Sequence, residues 1–285
     1  MIKLILILTL YLVSLFTYAQ TTSLEESVYL KWKITDTLTY HTAMRDTIYA
    51  NNKSQTESDS VTNNIDDLLQ AMQTQFFDLN YETKLFPDKN GNVDIAMMLK
   101  ENKTDSTRSI FSGIAKMNGN VALRGKVSPE GELLSRYYKT EQNNIISILF
   151  ELPTSPVKVG DEWSLDVNMI SMDQNFKADS IYMKNTVKLS EIKILNGNKI
   201  AVLKYDLQEF VSGEFDSKVM SMFSKESANK ETFMKISHKA TAEFDIDKGY
   251  WILYDGEMDT ETNFSPLGMN GNKRTKFKLT PVNKS

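Results

Sequence analysis

The sequence predicts a mainly β protein made of curved antiparallel sheets, half-barrel or sandwich-like, with one or two short helices. Three observations lead there. Asn-Gly-Asn occurs four times, at Asn90-Gly91-Asn92, Asn118-Gly119-Asn120, Asn196-Gly197-Asn198 and Asn270-Gly271-Asn272. Asn-Gly supplies two residues that tolerate positive φ, as type I′ hairpin turns require. Apolar and polar residues alternate beside such turns, which is the period of a half-buried strand. No G-x-G-x-x-G turn and no strand–helix alternation is present, which argues against a Rossmann-like fold.

The elements follow in chain order. Lys3, an apolar run from Leu4 to Phe16, and then Thr17-Tyr18-Ala19 read as a secretory signal peptide over residues 1–19. The run is shorter than the about 20 residues that cross a bilayer, so cleavage after Ala19 leaves no transmembrane anchor. Residues 20–285 then form a single β-rich exported domain, periplasmic or secreted. Val28, Leu30, Trp32 and Ile34 alternate as one strand face. Residues 51–60 are polar and loop-like. Ile65, Leu68, Leu69 and Met72 are spaced as one helical face, with Asn64 as N-cap and Asp66 and Asp67 in the first turn. Asn144 to Phe150 is apolar almost all round and is expected to be a short buried helix.

Leu152 to Trp163 divides the chain into two halves. Its two prolines favour extended backbone, and Gly160-Asp161 turns into a strand carrying Trp163, Leu165, Val167 and Met169 on one face. Residues 213–230 are expected to be a mobile insertion or a short helix. Residues 231–247 and 250–262 read as one hairpin about Asp247-Lys248-Gly249. Its register sets His238 near Met258, Ala240 near Gly256, Ala242 near Tyr254, and Phe244 against Ile252. Asp255, Glu257, Asp259 and Glu261 alternate on one strand, and Arg274, Lys276 and Lys278 on the next. An antiparallel pair places Glu261 opposite Arg274, Asp259 opposite Lys276, Glu257 opposite Lys278, and Met258 opposite Phe277.

Composition narrows the function. The 285 residues are 41% apolar and 25% charged, with a net charge of -4. Globular composition excludes wholesale disorder, and mild acidity argues against nucleic acid, which needs clustered cations. Without Cys there is no disulfide framework, thiol nucleophile or thiolate zinc site. Only two histidines, His41 and His238, are available for a triad or a metal.

Pro156-Val157-Lys158-Val159-Gly160-Asp161-Glu162-Trp163, followed by Phe244-Asp245-Ile246-Asp247-Lys248-Gly249, resembles a secreted bacterial family catalogued as a domain of unknown function. The resemblance covers residues 28–281. It implies an all-β exported domain and transfers no catalytic residue.

Ser-x-x-Lys at Ser155, Ser190 and Ser227 lacks the Lys-Thr-Gly partner of a penicillin-binding site. Asp88 to Asp94 carries alternate oxygen ligands. An EF-hand needs Gly at its sixth position, here Val93, and Glu at its twelfth, here Leu99. The segment therefore reads as a turn. No catalytic residue, metal site or cofactor is expected. His238 shares an apolar row with Met234, Ile236, Ala240, Ala242 and Phe244 and reads as a core histidine, while His41 reads as solvent-facing. Small residues beside large ones on the inner face leave room. His238, Ala240, Ala242, Tyr254, Gly256 and Met258 are therefore the ligand-facing candidates. The room is taken either by the Ile65–Met72 helix or by an apolar ligand.

Asp followed by Ser or Thr and a small or apolar residue recurs around Thr37, Thr47, Ser60, Ser106 and Ser180. It resembles the acceptor motif of a bacterial O-glycosylation system, and equally fits Asp closing a turn before a strand. The expected function is a non-enzymatic envelope protein that binds an apolar ligand or a protein partner on a curved sheet. The alternatives are a strand-mediated interaction protein of a surface assembly and a carboxylate-dependent hydrolase.

Overall fold

Beside the Asn196-Gly197 turn, two long strands run back to back because that pair adopts the left-handed conformation, with φ of 51° and 85°. A computed structural model of the protein describes residues 27–48, 78–100, 121–134, 140–170, 176–215, 232–263 and 272–282. The strands are β1 (Leu38–Ile48), β2 (Asp78–Pro87), β3 (Val93–Lys100), β4 (Val121–Val127), β5 (Glu162–Trp163), β6 (Phe176–Leu195), β7 (Asn198–Phe215), β8 (Thr232–Asp245), β9 (Tyr250–Thr262) and β10 (Lys273–Pro281). Among the described residues one helix, α1 (Thr140–Phe150), lies between β4 and β5.

All ten strands join one curved, open antiparallel sheet in the order β4-β3-β2-β1-β10-β9-β8-β7-β6-β5. The chain lays down β1 to β4 toward one edge. It then crosses through α1 and the proline segment to the opposite edge. From there β5 to β10 return as a second meander until β10 pairs with β1. Two β-rich halves thus share one sheet.

Period-2 alternation gives that sheet an apolar inner face. One row across it runs Trp163, Val187, Tyr205, Ala240, Gly256, Phe277 and Met44. The next runs Leu189, Leu203, Ala242, Tyr254, Leu279 and Thr42. α1 packs over this face. A methyl at Gly125 of β4 would lie 2.5 Å from Cδ1 of Ile146, so only glycine admits the helix this close.

The last carbonyls of a helix have no partner within it, and here two tryptophans supply them. Trp32 Nε1 donates to the Phe150 carbonyl at 3.0 Å, and Trp251 Nε1 donates to the Leu149 carbonyl at 2.8 Å. The Trp32 ring packs edge-on to Phe244 and Trp251, with centroids 5.6 and 6.0 Å away. Burial of these rings is the hydrophobic gain that seats the helix end.

Several expectations need correction. Val28, Leu30 and Trp32 are buried alternately, but the segment is not a strand of the sheet. Only Val28 forms a bridge, to Val157, while the N–H groups of Trp32 and Lys33 donate to the Pro129 and Gly249 carbonyls. The strand expected from Trp163 to Met169 stops at Trp163, because the backbone beyond it is taken up by side chains described below. The helix begins at Thr140 rather than Asn144. β7 continues to Phe215, so residues 213–215 are strand rather than insertion. The Ile65–Met72 helix, residues 51–60 and 216–230, the Asn118-Gly119-Asn120 turn and Asn270-Gly271 lie outside the described residues.

In the β8–β9 hairpin, His238 pairs with Met258, Ala240 with Gly256 and Ala242 with Tyr254. Lys239 is exposed and Ala240 buried, in agreement with the expected register. A bulge between Glu243 and Phe244 then sets Phe244 against Trp251 instead of Ile252.

The β9–β10 register differs from expectation by two residues. Arg274 lies opposite Asp259, Lys276 opposite Glu257, and Lys278 opposite Asp255. A two-residue slip keeps every side chain on its expected face. It also sets the Phe277 ring opposite Gly256 rather than Met258, where an absent side chain leaves space for it.

Candidate ligand-binding face

The six ligand-facing candidates come together on adjacent β8 and β9. His238, Ala242 and Tyr254 are fully buried, Ala240 and Gly256 are buried, and Met258 is half-buried. Beside Gly256 the space is taken by its neighbours. A methyl on Gly256 would meet the Ala240 Cβ at 2.7 Å and His238 Cε1 at 3.1 Å. The Tyr205 ring packs against His238 and Tyr254, the Trp251 ring against Tyr254, and the Phe277 ring against His238.

His238 Nε2 lies 2.6 Å from the Tyr254 hydroxyl, and the two rings stack 10° from parallel. Burial pushes the imidazole pKa down to about 4, opposed by the Glu257 backbone. Its Nδ1 faces that backbone without a hydrogen bond of acceptable geometry. A neutral imidazole with these neighbours is a core group. His41 is exposed, as expected.

The same face carries polar groups that sequence reasoning missed. The Tyr205 hydroxyl and the Trp163 indole N–H are buried without a hydrogen-bond partner within the protein. Burial raises the Tyr205 pKa, and the Glu151 charge adds to it. A buried polar group left unpaired costs about 1–3 kcal/mol, so these two stand out on an otherwise apolar row.

Residues 164–170 run over the inner face from β6 past α1 to β7, and side chains rather than strands hold their backbone. Asn185 of β6 accepts from Leu165 N at 3.0 Å and donates to the Leu165 carbonyl at 2.7 Å. Glu151 accepts from Asp166 N at 3.0 Å, and Glu209 Oε2 accepts from Met169 N and Ile170 N at 2.7 and 3.1 Å. Asn144 accepts from Asn168 N at 3.0 Å and donates to the Asn168 carbonyl. Leu165 and Ile170 are buried beneath.

Glu209 is itself buried. Burial raises its pKa, opposed by the Ile170 and Met169 N–H groups. Burial also raises that of Glu151, opposed by the Asp166 N–H. One signal in the sequence pointed here. Glu209 falls in phase with Leu203, Tyr205, Leu207 and Val211, a carboxylate on an apolar strand face.

Elsewhere the chemistry is structural. Asp88 Oδ1 accepts from Asn90 N and Asn92 N, and Lys126 Nζ lies 2.8 Å from Oδ2. The Lys126 ammonium and those donors hold the Asp88 carboxyl far below the usual range. This is a turn, as read. No cluster of metal-ligating side chains occurs among the described residues. Of the glycosylation candidates, Thr37, Thr47 and Ser180 are exposed, while Ser60 and Ser106 lie outside the described residues.

No family model matches the chain, and no curated protein matches it. The family resemblance therefore rests on the crossover and hairpin motifs alone.

Proposed function

We propose that the protein is a non-enzymatic exported envelope protein that binds an apolar ligand with a polar end on the inner face of its sheet. One observation carries this reading. The Tyr205 hydroxyl and the Trp163 N–H lie buried, without partners, in a row of the inner face whose other members are Val187, Ala240, Gly256, Phe277 and Met44. Ligand pockets take this form, an apolar wall with a few polar groups that fix orientation. In the closed arrangement the protein's own side chains occupy the face, so entry requires residues 164–170 to lift.

Export to the periplasm or the exterior follows from the leader, and glycosylation of Thr37, Thr47, Ser60, Ser106 and Ser180 belongs to the same proposal. The test is native mass spectrometry and organic extraction of protein purified gently from its own envelope. The expected result is a stoichiometric amphiphile, reduced in Tyr205→Phe. Ligand-free protein that folds and keeps its stability would overturn the reading.

A second reading has its own observation. Ile181, Tyr182 and Met183 of β6 are half or more exposed, and no described strand pairs with β6 on the side away from β7 over residues 176–184. An edge without a described strand partner suits strand addition by another chain. Specific co-purification that Tyr182→Lys abolishes would favour it. A carboxylate hydrolase draws less support, because Glu151 and Glu209 each bind backbone N–H groups of the same segment.

A further inference from the structure

We propose that residues 164–170 form a strap that gates the inner face, and that the charge on Glu151 and Glu209 sets how tightly it closes. The gating role rests on the reading of that face as a binding surface. The geometry comes from the attachments themselves. One end of the strap is hooked to Asn185 on β6 and the middle to Asn144 and Glu151 at α1, while the far end is hooked to Glu209 on β7. No ladder hydrogen bond holds it beyond Trp163. Lifting it exposes Leu165, Ile170 and the Tyr205 row without breaking any strand pair.

The carboxylates are the adjustable part. Met183 of β6 and Ile236 of β8 flank Glu209, and Asn168, Met169 and Ile170 lie over it. No charged group among these compensates it. Asp166 of the strap, Ser147 of α1 and Tyr205 of β7 face Glu151, and Asp166 opposes its ionised form. Closing the strap buries both carboxylates, and opening it returns them to water. Each therefore binds a proton more tightly when the strap is closed, and by linkage protons favour closure. The backbone N–H bonds oppose this without reversing it. Acid tightens the strap, and rising pH loosens it.

Hydrogen exchange of the full, ligand-free chain tests this. After correction for intrinsic rates, protection of amides 164–170 should rise as pH falls from about 8 to about 4, approaching roughly tenfold for each unit of pKa difference between open and closed states. Glu151→Gln with Glu209→Gln should hold high protection at both pH values, since each amide still accepts N–H bonds without charge. Asn144→Ala should lower protection at both while keeping the pH dependence. Amides of β7 and β8 report whether each variant is folded. If the double variant does not fold, the wild-type series and Asn144→Ala decide. Protection that ignores pH in the wild type, or an unchanged pH dependence in the folded double variant, would overturn the proposal. An empty lipid extract bears on the binding reading alone.

Discussion

Truncating Trp32 to alanine should show whether the extended Val28–Trp32 segment is a structural part of the core. Trp32 is 3% exposed and lies outside the ladder, yet it touches three aromatic rings and caps α1. Removing a buried aromatic side chain costs about 3–5 kcal/mol in lost contacts and residual cavity. Part of that cost is the Phe150 carbonyl left without its donor, about 1–3 kcal/mol. With about 2–4 °C lost per kcal/mol in a chain of this size class, the melting temperature should fall by roughly 6–20 °C. Trp32→Phe keeps a ring and loses the N–H, so its loss should be nearer the hydrogen-bond share alone. Thermal unfolding followed by near-ultraviolet circular dichroism measures both, because Trp251 reports the same cluster. If Trp32→Ala melts within about 2 °C of the wild type, the reasoning fails, since it would fall below the loss from even one kcal/mol. The segment would then contribute nothing to seating the helix.

Gly125→Ala should destabilise by about 1–3 kcal/mol, because the new methyl meets Ile146 at 2.5 Å. Adding Ile146→Val should restore part of that loss in urea unfolding, whereas additive losses would mean that α1 is not seated there. Asp259→Arg and Arg274→Asp should each weaken the β9–β10 pair. Together they should recover about 0.2–1 kcal/mol of coupling that fades in salt, since both groups are about a third exposed. A coupling of zero at low salt would contradict the bidentate pair. His238 supplies the pH dependence. Its folded pKa is about 4 against an ordinary 6.5, so the unfolded chain takes up a proton first as pH falls. Stability should drop from about pH 6.5 downward and level off below about pH 4, by about 3 kcal/mol in all. In His238→Gln that acid-side loss should vanish from a series of denaturant midpoints, and an unchanged slope would show that the imidazole is not buried neutral.

The sequence was legible where side-chain direction was at stake and obscure where partners were. Alternation alone set His238, Ala240 and Ala242 inward and Lys239 outward, because burying a lysine without a partner costs far more than any local propensity. The same alternation could not separate two β9–β10 registers two residues apart. Arg274 finds a carboxylate in either, Glu261 or Asp259, so the charge ladder is silent. The observed register is the one that places Phe277 across from Gly256, a volume match invisible until neighbouring strands are known.

Alternation also misled at Trp163–Met169 and Val28–Ile34. Period two reports that one side of an extended chain is buried. It does not report what receives the backbone N–H and carbonyl groups. In a strand the neighbouring ladder receives them; in residues 164–170 Asn144, Glu151, Asn185 and Glu209 do so instead. The local pattern was the same, and the bonding was supplied by residues up to 40 positions away. Only Glu209 betrayed this in advance. A carboxylate in phase with Leu203, Tyr205 and Leu207 has to meet donors on the inner face, and a backbone without a strand partner is what provides them.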